Sequence, residues 1–406
     1  VKTLSLVPQS SSGWNLDGVH RRNLSAVLNL VRSSGAVTRA ELARVTGLNR
    51  STIGALVAEL VELRLVDESG TDAVHQIGRP SHVITPGRRT VALAVHPSLD
   101  AVRISLVGLD GQVIKRVRYE TVGTLGVSEV VNVVAAVVAG MRDELESAYS
   151  CLGVGLAVPG LVRSGDGLVD LASRMGWRRA PLAQLLGEAL RMPVIAASDA
   201  VAGAMAETTF GAGAGVENLV YLEGSATGIR GAVISNGALL AGERGYAGEL
   251  GHTLVKTGGA PCACGAEGCL DAEVRLSDLV EAMGLPAGSG ARVDDELAEM
   301  LASPGSPAGL RRVVGDQLDL LAVTVRNAVN LFNPQLIVLG GFLGVIHETD
   351  PSRLENAVAW SAMRGSRDSV RIVRSSPGGD LVAVGAAQLV FAPIVNDPSL
   401  VRAAAG

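Results

Sequence analysis

The chain has 406 residues and 41.6 kDa, a formal charge of -5, and 48% hydrophobic against 18% charged residues, which is about two to three domains' worth of chain with sizeable cores. No run of about 18 or more uncharged apolar residues is present to span a bilayer. Up to Asn15 the only charge is Lys2 and there is no apolar stretch leading to a cleavage site, so a cytoplasmic protein with a ragged terminus (residues 1–19), no signal peptide and no membrane insertion is expected.

From Arg21 to Thr90 there are ten arginines against six acids, a balance of +4; Lys2 and Asp17 cancel, which leaves -9 from Val91 onward. A basic head on an acidic body points to an anionic partner for the head, and DNA is the commonest. Arginine is abundant throughout, 32 against 3 lysines, so pattern has to decide. From His20 to Ser33, Leu24, Val27, Leu28 and Val31 form the stripe of an amphipathic helix. After Gly35, Thr38-Arg39-Ala40-Glu41 is a capping box opening a second helix, and Gly47 supplies a turn. Asn49 then caps a third helix with Ile53, Leu56, Val57 and Leu60 inward and Arg50, Ser51 and Thr52 on its open first turn.

This is a helix-turn-helix arrangement, whose second helix enters the major groove. The segment Leu65 to Val83 reads as two short strands around a Gly70 to Ala73 turn, a wing, and Gly78-Arg79-Pro80 presents an arginine suited to a narrow minor groove. Arg39, Asn49, Arg50, Ser51, Thr52 and Arg79 are the expected DNA contacts of a winged helix-turn-helix domain over residues 20–88. Aromatic residues make up 3% of the chain, too few for the stacking platforms of single-strand or RNA recognition.

From Val91 the texture alternates between apolar strands and helices. Val91–Val95, Val102–Val107 and Val113–Tyr119 read as a meander, and Val127–Tyr149 as one long helix. Cys151–Val158, ending in Pro159-Gly160, and Val194–Ala197 read as strands, with a helix over Asp199–Thr208. A second set follows with strands Leu219–Leu222, Ile229–Ser235 and Leu336–Leu339, the last ending in Gly340-Gly341; Pro286–Gly290 and Ser303–Pro307 read as surface loops. Two such units imply a two-lobed α/β body with a cleft between the lobes. The expected lobes are residues 89–205 plus 382–406, and 206–381.

The sharpest local signal is Gly248-Glu249-Leu250-Gly251-His252 followed by Cys262, Cys264 and Cys269, the spacing H-x9-C-x-C-x4-C. One imidazole and three thiolates complete a tetrahedral zinc shell, and a closed four-ligand shell is structural. Cys151 stands alone.

The run Ala247-Gly248-Glu249-Leu250-Gly251-His252 and then Cys262-Ala263-Cys264-Gly265-Ala266-Glu267-Gly268-Cys269-Leu270-Asp271 resembles the signature of the ROK family of repressors, open reading frames and kinases. Val158-Pro159-Gly160, Asn330-Leu331-Phe332-Asn333-Pro334, Gly340-Gly341 and Gly385-Ala386-Ala387 agree with it, and the head resembles the repressor branch. The resemblance implies a winged helix-turn-helix head on an actin-like sugar-kinase body, acting as a transcriptional repressor of sugar genes. It also implies a homodimer or homotetramer on a palindromic double-stranded operator, with a sugar or sugar phosphate as effector.

By position, Asp199 matches the family's general base, here vestigial, and Ser198 replaces the family's sugar-binding Asn. Glu249, His252 and Asp271 match further sugar-contacting positions, and Ser173 falls near where many members place an Asn. The kinases' Asp-x-Gly-Gly-Thr phosphate loop falls on His96-Pro97-Ser98-Leu99-Asp100, without glycines and with a carboxylate in place of the threonine. A carboxylate about 4 Å from a phosphate charge costs roughly 4 kcal/mol at an effective dielectric of about 20, so ATP binding and kinase activity are not expected. Thr227-Gly228-Ile229-Arg230-Gly231 keeps part of the second phosphate loop, with arginine where glycine is usual. An active sugar kinase with an accessory head, and a regulator answering to a protein partner, are the alternative readings.

Overall fold

Three helices and a small sheet build the N-terminal head. The computed structural model describes residues 16–69, 82–286, 293–363, 365, 370–376 and 380–401. Helix α1 (Leu16–Ser34) buries the stripe Leu24, Val27, Leu28 and Val31 against Leu42 of α2 (Arg39–Thr46) and Ile53, Leu56, Val57 and Leu60 of α3 (Arg50–Glu62). It starts before the boundary expected at residue 20, with Asp17 in its first turn facing the positive end of the helix dipole. The capping box of α2 forms: Glu41 N–H donates to Thr38 Oγ1 at 3.2 Å and Thr38 N–H donates to Glu41 Oε2 at 2.8 Å. Gly47, at φ 72, ends α2 in the left-handed conformation that glycine adopts without strain.

The head sheet has the order β1-β3-β2, all antiparallel, from β1 (Val37–Thr38), β2 (Val66–Ser69) and β3 (Val83–Pro86). Ser69 pairs with Val83, so the second wing strand begins where the sequence reading ended it. The expected Gly70–Ala73 turn and Gly78-Arg79-Pro80 lie outside the described residues.

The body repeats one topology twice. In the first lobe, β4 (Thr90–Pro97), β5 (Ala101–Gly108) and β6 (Val113–Glu120) form an antiparallel meander. The helical stretch that follows is two helices, α4 (Val127–Gly140) and α5 (Arg142–Ala148), in place of the single expected one. The break falls at Gly140-Met141, where glycine weakens a helix interior and Met141 leaves helical geometry at φ -105, ψ 3. Strand β7 (Ser150–Val158) joins β4 in parallel, and β8 (Leu161–Val162), β9 (Val169–Ala172) and β10 (Trp177–Ala180) make a small side sheet. Helix α6 (Leu182–Leu190) leads to β11 (Val194–Ser198), which completes the sheet β11-β7-β4-β5-β6. Helix α7 (Asp199–Phe210) follows directly and carries past the boundary expected at residue 205.

The second lobe has the same pattern. Strands β12 (Leu219–Ser225), β13 (Gly228–Ser235) and β14 (Ala238–Leu239) are antiparallel neighbours. After the cysteine loop come α8 (Leu270–Glu273), α9 (Leu276–Ala282), α10 (Val293–Ala302) and α11 (Ala308–Phe332). Then β15 (Leu336–Gly341), α12 (Phe342–Thr349), α13 (Pro351–Ser361) and β16 (Arg371–Arg374) complete the sheet β14-β13-β12-β15-β16. Ser303–Pro307 is the surface connection expected between α10 and α11, while most of Pro286–Gly290 lies outside the described residues.

Helix α14 (Leu381–Asn396) returns to the first lobe and crosses α7, and the two helices lie between the sheets. Glycines set this crossing. A Cβ at Gly385 would overlap the Ala202 carbonyl oxygen of α7, and one at Gly155 of β7 would overlap the Ala386 carbonyl oxygen of α14. The head is continuous with this region, because Leu24, Leu28 and Ile53 share one apolar cluster with Ala157, Ala202, Ala386 and Phe391.

Candidate functional site

The cysteine loop is built by short backbone turns. Cys262 N–H donates to Ala266 O at 2.7 Å and Gly265 N–H to Cys262 O at 3.0 Å, and bridges pair Leu254 with Cys269 and Pro261 with Glu267. These turns gather one ligand atom each from His252, Cys262, Cys264 and Cys269 within 4.8 Å of one another. His252 Nδ1 lies 3.5 Å from Cys262 Sγ, and Cys264 Sγ lies 3.7 Å from Cys269 Sγ. This donor set and spread fit one tetrahedral ion.

The same loop leads through α8 to the start of β13. Asp271, buried, accepts the Ile229 amide at 2.6 Å and so fixes the start of β13, where Gly228, at φ 109, leaves room for the carboxylate. Glu249 precedes the turn that holds His252, and burial pushes its carboxyl up to about 7; Arg230 pulls it down while Asp199 and Asp271 push it up.

Asp199 is the first residue of α7, and Ser198 before it is the N-cap, its hydroxyl accepting the Val201 amide at 3.2 Å. The Ser198 side chain is thus engaged by its own helix. Asp199 is buried and held by Arg230 of β13 in a two-pronged pair: Nε donates to Oδ1 at 2.5 Å and Nη2 to Oδ2 at 2.7 Å. Arg230 also donates to Thr227 Oγ1 at 2.7 Å and to Thr227 O at 3.1 Å. Burial works against its charge, but Asp199 and Glu249 keep its pKa above the usual arginine value. Asp199, Glu249 and Glu223 therefore act on Arg230, and Asp271 lies beyond Glu249. Ser173 sits exposed in a 3-10 turn (Ser173–Met175) and shares no hydrogen bond with this group.

Side chains also engage one another over His96–Asp100, the segment that the family resemblance aligns with the first phosphate loop. Asp100 accepts from Ser98 Oγ at 2.8 Å and from Arg118 Nη2 at 2.6 Å, with Arg103 Nη2 at 3.9 Å. Burial pushes its carboxyl up, but the hydrogen bonds from Ser98 and Arg118 prevail and hold it below the usual range. The two arginines offset the repulsion a phosphate would meet from Asp100 alone, yet both are already engaged by it. His96, at the end of β4, is pushed down to about 4 by burial, against the pull of Asp199 and with the help of Arg103 and Arg230. At the Gly340-Gly341 turn a further acid intervenes: a Cβ on Gly340 would overlap the Glu223 carboxylate. Glu223 accepts from the Tyr221 hydroxyl, and burial pushes it up to about 8.

On the head, Arg50 and Ser51 are exposed and Thr52 half-buried on the first turn of α3. Asn49 is exposed, and its Oδ1 is used within the cap, accepting the Thr52 amide at 2.8 Å and the Ser51 hydroxyl at 2.7 Å. Arg39 pairs with Glu68 of β2 at 2.7 Å. Arg79 lies outside the described residues.

Sequence reasoning noted Arg230 only as a departure from glycine and passed over Glu223, Arg103, Arg118 and Arg32. An acid inside the apolar strand Leu219–Leu222-Glu223 and an arginine one residue past the Val31 stripe were the available signals.

The sequence model of the ROK family matches residues 94–392. The chain belongs to the ROK family. The head, residues 17–73, matches the MarR family, and this ROK protein is similar over more than nine-tenths of its length to regulators. It is 25% identical to the xylose repressor of Bacillus spizizenii, covering 92% of this chain and 96% of that protein. It is 30% identical to the glucokinase of Halalkalibacterium halodurans, covering 60% of this chain and 78% of that enzyme. Among solved structures, a ROK family transcriptional regulator homologous to the E. coli Mlc protein superposes with a TM-score of 0.76 at 21% identity, covering 96% and 100% of the two chains. Among the described residues no helix is long and apolar enough to cross a membrane.

Proposed function

We propose that the chain is a sequence-specific, DNA-binding transcriptional repressor of carbohydrate genes whose kinase-derived body has given up phosphoryl transfer. The observation that carries this reading is the pairing of an open recognition turn, Arg50-Ser51-Thr52, with a phosphate-loop position filled by the Asp100–Arg103–Arg118 cluster. Arg39 and Arg50 supply phosphate or base contacts, Asn49, Ser51 and Thr52 the first turn of the recognition helix, and Arg79 the wing contact. Two copies present two such turns to a palindromic operator, so the working form is a homodimer or a pair of dimers, and it acts in the cytoplasm.

The body senses a carbohydrate or its phosphate in the cleft, through Glu249, Asp271 and the imidazole of His252, with Ser173, Ser198 and Asp199 around it. Zn2+ held by His252, Cys262, Cys264 and Cys269 has a structural role, since four protein donors leave no position for substrate. The ion ties the loop that positions Asp271 against β13. A ligand changes operator occupancy only through different affinities for the DNA-competent and incompetent states.

Footprinting of the chain on its own promoter region, repeated across a panel of sugars and sugar phosphates, tests this. A protected palindrome whose occupancy one effector changes is the expected result. ATP-dependent sugar phosphorylation by the purified chain, or no protected site, refutes it. A site whose occupancy no sugar changes returns the reading to control by a protein partner.

A further inference from the structure

The Arg230–Asp199 pair joins the two lobes, and the family resemblance gives the position of Asp199 to the sugar-contacting acid of the kinases. Its side chains are 7% and 4% exposed, and both Asp199 oxygens are taken by separate guanidinium nitrogens, at 2.5 and 2.7 Å. Asp199 Oδ1 additionally accepts the Ala200 amide at 2.9 Å. Arg230 is held from the other side by Thr227 Oγ1 and Thr227 O. Oδ1 thus has both acceptor positions filled and Oδ2 keeps one, so a sugar that takes hydroxyl bonds to both Asp199 oxygens would have to displace a charged, two-pronged donor with neutral ones. It would also leave a buried guanidinium without its counter-charge, which costs about two to three decades of affinity. Glu249 is different: among the described residues no hydrogen bond is made to its carboxyl, and it lies in the same cleft.

We propose that Arg230 is the specificity-determining residue of the cleft: it occupies Asp199 as a built-in ligand, so that the carbohydrate this chain answers to is read by Glu249 and Asp271 without Asp199. This deepens the sensor reading given above and rests on it. It follows that the small neutral sugars an Asp199-centred seat would hold are bound poorly by the native chain, and that the side chain of residue 230 alone stands in their way. Glycine at position 230, the residue usual in the phosphate loop this segment resembles, would free Asp199 Oδ2 and one acceptor position of Oδ1, which keeps the Ala200 amide.

The test is calorimetric titration of the full chain with D-glucose and D-xylose, for the native protein, Arg230→Gly, Asp199→Asn and the double variant Arg230→Gly/Asp199→Asn. Arg230→Gly is expected to bind at least one of the two sugars about tenfold or more tightly than the native chain, and the double variant to lose that gain. If Arg230→Gly does not keep its melting transition, Arg230→Ala takes its place. The inference is overturned if a folded Arg230 variant gains no affinity, or if Asp199→Asn in the native background weakens sugar binding. Promoter binding is not part of this measurement, so failure of the repressor reading, seen as no footprint, is distinguishable from failure here.

Discussion

Arg32, in the last turn of α1, is 5% exposed and lies in the joint between head and body. Its Nε donates to Leu109 O at 3.0 Å and its Nη2 to Gln388 Oε1 of α14 at 2.5 Å, and the guanidinium lies 5.7 Å from the Phe210 ring and 5.9 Å from the Phe391 ring. Burial brings its pKa from 12.5 down to about 10, against the pull of Asp110, which corresponds to about 3 kcal/mol spent on holding the charge there. Removing the side chain recovers that cost. It also orphans two buried acceptors at about 1–3 kcal/mol each, forfeits about 0.5–2 kcal/mol of cation–π attraction, and leaves a cavity. Arg32→Ala should therefore destabilise the docked head by about 2–4 kcal/mol, and Arg32→Met, which fills the volume without the charge, by about half of that. Urea unfolding combined with limited proteolysis reads this directly: in Arg32→Ala the head should be cut at lower urea than the body, whereas in the native chain both are lost together. If both variants unfold within about 0.5 kcal/mol of the native chain and the head stays protected, Arg32 is not the joint described here.

Three further outcomes follow from the same geometry. Glu223 has a folded pKa of about 8 against an ordinary 4.5, so between those values the folded state holds a proton the unfolded state has lost. Stability of the native chain should fall by a few kcal/mol relative to Glu223→Gln as pH rises from about 4.5 to 8, and a difference in urea midpoint that is flat with pH would refute it. Cys264 is exposed, so Cys264→Ser should leave the apolar core intact yet abolish bound zinc measured by elemental analysis and lower the melting temperature; unchanged metal content would remove Cys264 from the ligand set. Arg50→Ala should weaken operator binding and reduce the slope of log affinity against log salt by about 1 if Arg50 meets a phosphate; an unchanged affinity would place it outside the interface.

The two lobes, the capping box and the cysteine site were legible because each rests on local chemistry. Periodicity marks which face of α1 or β4 is buried, Thr38 and Glu41 are three residues apart, and the four metal-site donors fall within eighteen residues. The cleft was legible only in part. Asp199 and Arg230 are 31 residues apart, and no local pattern states that the crossing of α7 over β13 brings them together. The same holds for Glu223, whose carboxylate matters because β15 runs parallel to β12 and sets Gly340 opposite it. Arg32 was hidden for a related reason: its side chain is buried by α14 and Phe210, elements far along the chain. The single helix expected over Val127–Tyr149 failed on a backbone effect, since the apolar periodicity continues through Gly140 while the helix geometry does not.

Helix α7 connects these observations physically. Its first residue, Asp199, is held by Arg230 of the second lobe, and its last, Phe210, faces Arg32 of the head; twelve residues at 1.5 Å rise place the two ends about 18 Å apart. Between them the helix has little freedom to adjust, because a Cβ at Gly203 would overlap the Tyr221 ring on one side and Ala202 meets Gly385 of α14 on the other. A packed helix of this kind shifts as a unit, since close-packed interiors pass displacement on and do not absorb it. Any ligand that alters the Arg230–Asp199 pair therefore acts on a helix that meets the head at the Arg32–Phe210 contact and crosses α14, on which the head docks. The Arg230–Asp199 pair thus ties the second lobe to the first residue of the helix whose last residue meets Arg32 of the head, so a molecule that strengthened or relaxed the pair would act on both ends of α7.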